Sequence, residues 1–262
     1  MLETGTVVDQ RCLAPGLYQL RIESTGIAQA GRPGQFVMVR GWSSYDLLLP
    51  RPFSFHRLVP GEGIFELVYK VKGEGTERLS GLVSGDRVSV TGPFGNGFPL
   101  PPPGSRIAVV ARGVGQAPMM ALLEAARRLG ITSDAYLSAS RADFLIEDER
   151  VRGLVQRMYV QTDDVPDGSR LVTDFLVRDL VTQPITAVYT CGSQRLAKQI
   201  ALLQKEYGFS GYVMLEEHMA CGVGACKACV CRYREADGPE GTWDYKRVCV
   251  DGPIFPVERV VF

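Results

Sequence analysis

Residues 106–118, RIAVVARGVGQAP, decide the fold of this chain. The first six, Arg106–Ala111, form a short and nearly continuous apolar run, which is typical of a strand buried on both faces of a parallel sheet. A glycine-rich turn follows, and from Met119 to Leu129 apolar residues recur at helical spacing before a basic end that contains glycine. A buried strand, a glycine turn and a helix in this order indicate an α/β domain.

The sequence after this unit continues to alternate strands with helices. Strands are predicted at Thr132–Ala139, Met158–Thr162 and Ile185–Cys191, and helices at Thr173–Leu180 and Gln194–Tyr207. The alternation predicts a doubly wound parallel α/β sheet, in which ligands bind at the carboxyl ends of the strands.

The sequence before residue 100 has the pattern of an antiparallel β-barrel. Short apolar or alternating runs recur between Gly, Pro and Ser residues, and one short helix is predicted at TERLSGLV, capped by Thr76. The prolines of PLPPPGSR, residues 99–106, can neither pair in a central strand nor continue a helix. We therefore predict a barrel domain at 1–99, an α/β domain at 100–211 and a small module at 212–262.

Composition restricts the class of protein. The 262 residues include 29 basic and 29 acidic side chains, and a net charge of zero argues against a nucleic-acid-binding surface. No stretch has the roughly 18 uninterrupted apolar residues of a membrane helix, and the first ten residues lack a signal-peptide pattern. We expect a cytoplasmic protein that interacts with neither nucleic acid nor membrane. No Ser/His/Asp set and no paired carboxylates indicate a hydrolase.

The cysteines are concentrated at the C-terminal end. Four of them have the spacing Cys221-x4-Cys226-x2-Cys229, with Cys249 further on in a predicted strand. This is the plant-type [2Fe–2S] pattern, in which four thiolates hold two irons and small residues let the loop wrap closely around them. A zinc site with four thiolates is the alternative, although zinc ligands usually come as two C-x2–4-C pairs. The other cysteines are expected to be packed thiols: Cys12, Cys191 and Cys231.

Two strands after the cysteine loop predict a small antiparallel sheet. They are Ala228–Glu235 and Thr242–Val250, joined by the turn ADGPEG at 236–241. The apolar tail Ile254–Phe262 is a candidate docking surface for a partner subunit, and packing onto the chain's own domains is the alternative.

Two segments of the predicted barrel could hold a flavin dinucleotide. The guanidinium of Arg51, which begins RPFS, can bind a pyrophosphate through two hydrogen bonds, and the Ser54 hydroxyl can bond to the flavin edge. Gly75 and Thr76 would direct N–H groups from the start of the short helix to phosphate oxygens. Each segment alone has a plain structural explanation, but the combination on one barrel favours FAD.

Over essentially its whole length the chain resembles the electron-transfer subunit of class B dihydroorotate dehydrogenase, within the ferredoxin–NADP⁺ reductase superfamily. The motifs that carry the resemblance are RPFS (51–54), EGT (74–76), TGPFGNGF (91–98), the glycine turn (111–118), YTCGS (189–193), CGVGACKAC (221–229) and RVCVDGPIF (247–255). The last two are specific for this subunit, and the others are shared across the superfamily.

The resemblance implies an FAD-binding barrel, an α/β domain that binds NAD(H) against the flavin, and a [2Fe–2S] module. The implied FAD contacts are Arg51, Pro52, Phe53, Ser54, Val68, Tyr69, Lys70, Gly75 and Thr76. The implied NAD(H) contacts are Gly113, Gly115, Cys191 and Gly192. The implied iron ligands are Cys221, Cys226, Cys229 and Cys249.

The resemblance also implies a partner, an FMN-containing catalytic subunit that oxidises dihydroorotate in pyrimidine biosynthesis, with two copies of each subunit in the assembly. Electrons would pass from its FMN through the cluster to FAD, and then as hydride to NAD⁺. One alternative is a similar FAD/[2Fe–2S] reductase subunit that serves a different flavoenzyme or a ferredoxin-linked complex. Another is a zinc-stabilised binding module without redox activity.

Arg112 departs from the family's pattern, because it stands within a turn where such proteins usually carry three glycines. Either Arg112 points to solvent and NAD(H) still binds, or this chain accepts a different nicotinamide nucleotide or has lost nicotinamide binding. Retained binding is favoured, because Cys191-Gly192-Ser193 keeps the second nicotinamide-side motif.

Overall fold

The N-terminal part of the chain is an antiparallel β-barrel. A computed structural model describes residues 1–44, 46–146, 149–164, 171–235 and 241–262. The barrel strands are β1 (Leu2–Ala14), β2 (Leu17–Glu23), β3 (Phe36–Arg40), β4 (Arg51–Ser54), β5 (Arg57–Val59), β6 (Ile64–Lys70) and β7 (Arg87–Phe94). They are hydrogen-bonded in the order β4-β3-β7-β1-β2-β6-β5. Alternate side chains such as Leu20, Ile22 and Leu67 fill the interior and are fully buried.

The segment between β4 and β5 brings the two edges of this sheet together. The Phe55 N–H donates to the Gln35 carbonyl at 3.2 Å, and the His56 N–H donates to the Glu66 carbonyl at 2.8 Å. One bent segment is thus bonded toward both edges, which closes the barrel as predicted.

Two helices accompany the barrel, α1 (Thr25–Ala30) and α2 (Glu74–Ser80). Only α2 was predicted, and the expectation of a single helix is wrong. The six residues of α1 are too few to show helical periodicity, although Ile27 and Ala28 are fully buried.

The central part of the chain is the predicted parallel α/β sheet. Its strands are β8 (Arg106–Arg112), β9 (Thr132–Ala139), β10 (Arg157–Thr162), β11 (Ala187–Cys191) and β12 (Ser210–Met214), parallel in the order β10-β9-β8-β11-β12. Its helices are α3 (Ala117–Arg128), α4 (Glu149–Leu154), α5 (Val172–Thr182) and α6 (Gln194–Tyr207). β12 was not predicted, and the predicted domain boundary between residues 211 and 212 falls inside it.

The C-terminal module contains β13 (Val230–Tyr233), β14 (Asp244–Arg247), α7 (Val248–Asp251), β15 (Ile254–Pro256) and β16 (Val260–Val261). The strand predicted over Thr242–Val250 is wrong beyond Arg247, because the Asp251 carboxylate accepts a hydrogen bond of 2.7 Å from the Arg247 N–H and closes a helical turn. The strands β13, β14 and β16 form the small antiparallel sheet. Apart from Gly241, the turn predicted at 236–241 lies outside the described residues.

The apolar tail joins the module to the α/β domain. β15 pairs antiparallel with β12 and extends the parallel sheet by one strand. Four apolar side chains of the tail are buried within the chain, namely Ile254, Phe255, Val257 and Val260, whereas Val261 and Phe262 are half-buried. Most of the tail therefore packs onto the chain's own domains, which was the alternative to a docking surface.

In the described residues, every helix falls short of the length and apolar character needed to cross a membrane.

Candidate functional site

The four cysteines of the predicted cluster site lie together. The Cys226 N–H donates to Cys221 Sγ at 3.4 Å, and the Cys249 N–H donates to Cys229 Sγ at 3.4 Å. Cys229 and Cys249 are buried, Cys221 is half-buried and Cys226 is exposed. Among the described residues, no group of three or more His, Cys, Asp or Glu side chains is arranged to hold a single metal ion. Hydrogen bonds from backbone N–H to sulfur thus join the four cysteines in two pairs.

Glycine shapes the loop between these cysteines. Gly222 and Gly224 have positive φ angles of 70° and 80°, which only glycine adopts without strain. A Cβ on Gly222 would lie 3.1 Å from the Phe94 ring, and one on Gly224 would lie 2.7 Å from Val250. The loop is therefore pressed against the barrel on one side and α7 on the other.

The electrostatics of the loop suit an electron-rich metal group. The backbone N–H of Cys226, assisted by that of Val223, lowers the pKa of Cys221 to about 6, so this thiol is largely the thiolate that metals bind. Burial, together with the neighbouring Cys229, raises the pKa of Cys249 to about 12. A bound cationic metal would stabilise the Cys249 thiolate and so offset the unfavourable effect of burial on its charge. The donor set of four sulfurs, two of them with backbone amides directed at them, fits an iron–sulfur cluster.

The three remaining cysteines are not among the predicted ligands. Cys191 and Cys231 are buried, as predicted. Cys12 is exposed, so its prediction as a core cysteine is wrong; it sits near the end of β1, where the strand reaches a hairpin turn.

Arg51 and Gly75, predicted to hold phosphate, are in contact. A Cβ on Gly75 would lie 2.6 Å from Nε of Arg51, so only glycine allows this approach. The guanidinium is anchored by a 2.6 Å hydrogen bond to the Leu49 carbonyl and lies 5.7 Å from the Trp42 ring centroid. A fixed cation thus stands at the beginning of α2, which is the arrangement a pyrophosphate requires.

Thr76 has a different role from the predicted helix cap. The helix begins two residues earlier, with Gly73 as its N-cap residue. The Thr76 hydroxyl accepts hydrogen bonds from the N–H groups of Lys72 and Gly73 and donates to the Gly73 carbonyl. The first bond within the helix runs from the Glu77 N–H to the Gly73 carbonyl, which leaves the preceding N–H groups directed out of the helix.

The other predicted FAD contacts divide between two faces of β6. The Tyr69 side chain points into the barrel, where its hydroxyl donates to Gln10 at 3.1 Å and burial raises its pKa. Val68 and Lys70 face the α/β domain: Val68 packs near Ala117, and the Lys70 ammonium lies 4.7 Å from the Phe144 ring centroid. Along β4, which carries Pro52 and Ser54, Phe53 packs against Tyr69 with ring centroids 5.3 Å apart.

The predicted nicotinamide residues come from two adjacent strand ends. A Cβ on Gly115 would lie 2.5 Å from the Cα of Gly192, so the turn after β8 rests directly on the turn after β11. A Cβ on Gly113 would have no neighbouring atom within 4 Å, so this glycine faces open space. Cys191 ends β11, and its Sγ lies 3.8 Å from a carboxylate oxygen of Glu216. Burial, with this carboxylate, raises the pKa of Cys191 well above its usual value.

Arg112 leaves the glycine turn open. Its guanidinium is paired with the Asp163 carboxylate, Nη2 to Oδ2 at 2.5 Å and Nη1 to Oδ1 at 3.3 Å. Its backbone is ordinary extended strand, with φ −130° and ψ 133°. The side chain therefore does not fill the turn in which nicotinamide binding was expected.

Sequence reasoning missed the polar contacts that join the barrel to the α/β domain. The Arg57 guanidinium donates to Glu124 of α3 at 2.7 Å and to Glu66 of β6 at 3.1 Å. His56 is buried, and its Nδ1 lies 2.7 Å from the Ala117 carbonyl oxygen. These residues have no sequence motif, because partners far apart in the chain create the contacts.

Three features define the class of this protein as a two-domain oxidoreductase fold with an iron–sulfur module. They are the barrel with its anchored arginine, the crevice where two parallel strands end, and the four-cysteine loop. Residues 216–261 match the family model for the iron–sulfur cluster binding domain of dihydroorotate dehydrogenase B. The chain is 36% identical to the dihydroorotate dehydrogenase B (NAD(+)) electron transfer subunit of Desulforamulus reducens, over 95% of this chain and 94% of that one. It is also 36% identical to the subunit of the same name from Geobacillus thermodenitrificans, over 99% and 98%. The chain belongs to the family of dihydroorotate dehydrogenase B electron transfer subunits.

Solved structures agree with this assignment of fold. A structure of the NADH-dependent reduced ferredoxin–NADP oxidoreductase, described in the context of flavin-based electron bifurcation, superposes with a TM-score of 0.86 at 27% identity, covering 98% of this chain and 89% of that one. A ferredoxin–NADP⁺ reductase from Neisseria gonorrhoeae with bound FAD and NADP superposes with a TM-score of 0.62 at 19% identity, covering 82% and 94%. The second likeness shows the shared fold alone.

Proposed function

We propose that this chain takes electrons from a catalytic subunit that oxidises dihydroorotate and delivers them to NAD⁺, using a [2Fe–2S] cluster and FAD. The observation that carries the proposal is the four-cysteine loop, which is packed against the barrel and belongs to a full-length match with the named family. When bound, the cluster supplies one-electron transfer and the flavin supplies the exchange between single electrons and hydride.

The residues of this chain position those groups. Cys221, Cys226, Cys229 and Cys249 would ligate the irons, with backbone N–H groups directed at the sulfurs. Arg51 and the N–H groups at the start of α2 would bind the flavin pyrophosphate, and Ser54 the flavin edge. Val68, Tyr69 and Lys70 would border the flavin on β6, with Tyr69 contributing only its backbone because its side chain faces the barrel. Pro52 and Phe53 would border it on β4.

The nicotinamide would enter where the turns after β8 and β11 meet. Gly113 and Gly115 would let the pyrophosphate of NAD(H) approach the backbone, and Cys191 and Gly192 would lie beside the nicotinamide ring. The contacts of Arg57 and His56 across the domain interface support this arrangement, because they hold the barrel against α3.

The partner would dock around the cysteine loop. In the described part of the C-terminal module, four large side chains are exposed by 39% to 57%: Val223 in the loop, Val250 against it, and Trp243 and Tyr245 further away along the hairpin. Trp243 packs edge-on against Tyr245, and the Arg232 guanidinium lies 4.8 Å from the centroid of the Trp243 ring. Aromatic residues with arginine are the usual anchors of an interface. We propose that an FMN-containing catalytic subunit binds here, with two copies of each subunit in a cytoplasmic assembly.

Absorption spectroscopy tests the cofactors. The purified chain should show flavin and iron–sulfur bands, and anaerobic NADH should bleach the flavin band. Cys249→Ser should remove the iron–sulfur bands, whereas Cys231→Ser, the matched change at a nearby buried cysteine, should keep them. A colourless protein that contains zinc would contradict the proposal.

Reconstitution tests the partner. Co-expression with an FMN-containing dihydroorotate dehydrogenase should give a stable complex that reduces NAD⁺ with dihydroorotate. Purification of the native complex with an unrelated flavoenzyme or a ferredoxin would contradict the assigned pathway and leave the cofactors intact. The full-length relatives favour the dihydroorotate partner over these alternatives.

A further inference from the structure

The strand order arranges the nucleotide crevice as a row. In the order β10-β9-β8-β11, Cys191 ends β11, the glycine turn follows β8 and Asp163 follows β10. Neighbouring strands are about 4.8 Å apart, so Asp163 lies roughly 14 Å along the sheet edge from the end of β11. A dinucleotide with its nicotinamide near Cys191 and its pyrophosphate on the glycine turn extends its adenosine half toward β9 and β10.

Arg112 spans the sheet edge between the ends of β8 and β10. It lies opposite Ser138 of β9 in the sheet register, and its side chain crosses the end of β9 to reach Asp163. The backbone of Asp163 is fixed in turn, because its N–H donates to the Ala139 carbonyl at 3.2 Å. A positioned ion pair therefore stands where the adenosine ribose would lie.

The arginines around this position are already paired with carboxylates. Arg141 is paired with Asp143 through hydrogen bonds of 3.1 and 2.7 Å, as Arg112 is paired with Asp163. Asp164 carries a third carboxylate, which accepts a hydrogen bond of 3.3 Å from the Ala142 N–H. Both arginines are thus paired with carboxylates in the described part of this edge, and a further cation, Lys70, lies 4.7 Å from the neighbouring Phe144 ring centroid. A ribose 2′-hydroxyl can donate to a carboxylate, whereas a 2′-phosphate would be repelled.

We propose that the Arg112–Asp163 ion pair sets the preference of this chain for NAD(H) over NADP(H). Asp163 neutralises Arg112 and presents a carboxylate to the ribose 2′-hydroxyl. Arg112, the residue that replaces a glycine of the turn, is then a phosphate ligand that Asp163 masks. The inference rests on the proposed nicotinamide site and adds the residues that select the nucleotide.

A binding experiment on 2′,5′-ADP and 5′-AMP tests the pair without using electron transfer, since these probes differ by the 2′-phosphate. Asp163→Asn removes the carboxylate charge, keeps the size of the side chain and frees Arg112. Calorimetry should show at least about tenfold tighter binding of 2′,5′-ADP, from one charge-assisted hydrogen bond to the phosphate, and weaker binding of 5′-AMP, whose 2′-hydroxyl loses its charged acceptor. The ratio of kcat/KM for NADPH to that for NADH should therefore rise by at least about tenfold.

Adding Arg112→Gln to Asp163→Asn should cancel the gain. Asp9→Asn is the matched control, because it breaks an Arg11–Asp9 pair of 2.7 Å on β1 and should change neither ratio. An unchanged preference in Asp163→Asn would overturn the inference, and so would a gain that persists in the double variant. If the probes bind as expected but neither NADH nor NADPH reduces the flavin, the proposed electron transfer fails and the selectivity stands.

Discussion

Gly115 is the point at which an added methyl group would separate the two turns of the nucleotide crevice. In Gly115→Ala the new Cβ would lie 2.5 Å from both Cα and N of Gly192 and 2.6 Å from the carbonyl carbon of Cys191. All three atoms belong to backbone, so no side-chain rotation relieves the contact. Overpacking costs about 1–3 kcal/mol, and a backbone neighbour places this substitution near 3 kcal/mol. For a chain of this length that corresponds to a fall in Tm of about 6–12 °C.

Thermal unfolding of the holoprotein with a fluorescence probe measures the loss, and titration with NADH measures the crevice. Gly115→Ala should bind NADH at least about tenfold more weakly, because the turns after β8 and β11 must move apart. Gly153→Ala is the matched control: Gly153 lies in α4 with nothing within 4 Å of its Cβ direction, so alanine should be neutral or slightly stabilising. A Gly115→Ala protein with the Tm and NADH affinity of the parent would refute the reasoning.

Three further substitutions test other parts of the molecule. Arg51→Ala should yield protein largely free of FAD, as measured by the ratio of flavin to protein absorbance. Normal flavin content would contradict the proposed pyrophosphate site formed by Arg51 and Gly75. The pKa of Asp179 is lowered: burial opposes its charge, but the Tyr136 hydroxyl and Arg157 stabilise it more. The ionised Asp179 thus contributes its full stabilisation above about pH 4, and this contribution is lost as pH falls through the lower folded-state pKa. The free energy of unfolding in urea should therefore depend less on pH in that acidic range for Asp179→Asn than for the parent. Trp243→Ala should weaken binding of the catalytic subunit by about 2 kcal/mol, roughly 30-fold, with an unchanged visible spectrum; unaltered affinity would place the interface elsewhere.

Local patterns predicted the fold well where one segment determines its own structure. β9 and α6 have the predicted ends. In α6 the apolar spacing runs through the helix, and its two ends are marked by the neighbouring Ser193 and Gly208. The cysteine motif likewise predicted four residues that the structure places in hydrogen-bonded pairs.

Features that depend on distant partners were not predictable. β15 is a short apolar segment whose role as an edge strand depends on β12, so its sequence resembled an exposed tail. Cys249 follows strand-like residues, and only the hydrogen bond from Arg247 to Asp251 turns that segment into a helix. Arg112 could be recognised as unusual, but its direction is set by Asp163, which lies 51 residues further along the chain.

The pairing of β12 with β15 makes the cysteine module an insertion within a hairpin. These antiparallel neighbours are connected by residues 215–253, and the Leu215 N–H donates to the Pro253 carbonyl at 2.9 Å, so the two ends of that segment meet. A short turn could replace it without cutting the sheet, and in the described structure β16 would then lose its pairing with β13. The remaining barrel and α/β sheet would be a plain two-domain reductase scaffold. The module through which electrons would enter can therefore be gained or removed at this position without a change in the remaining fold.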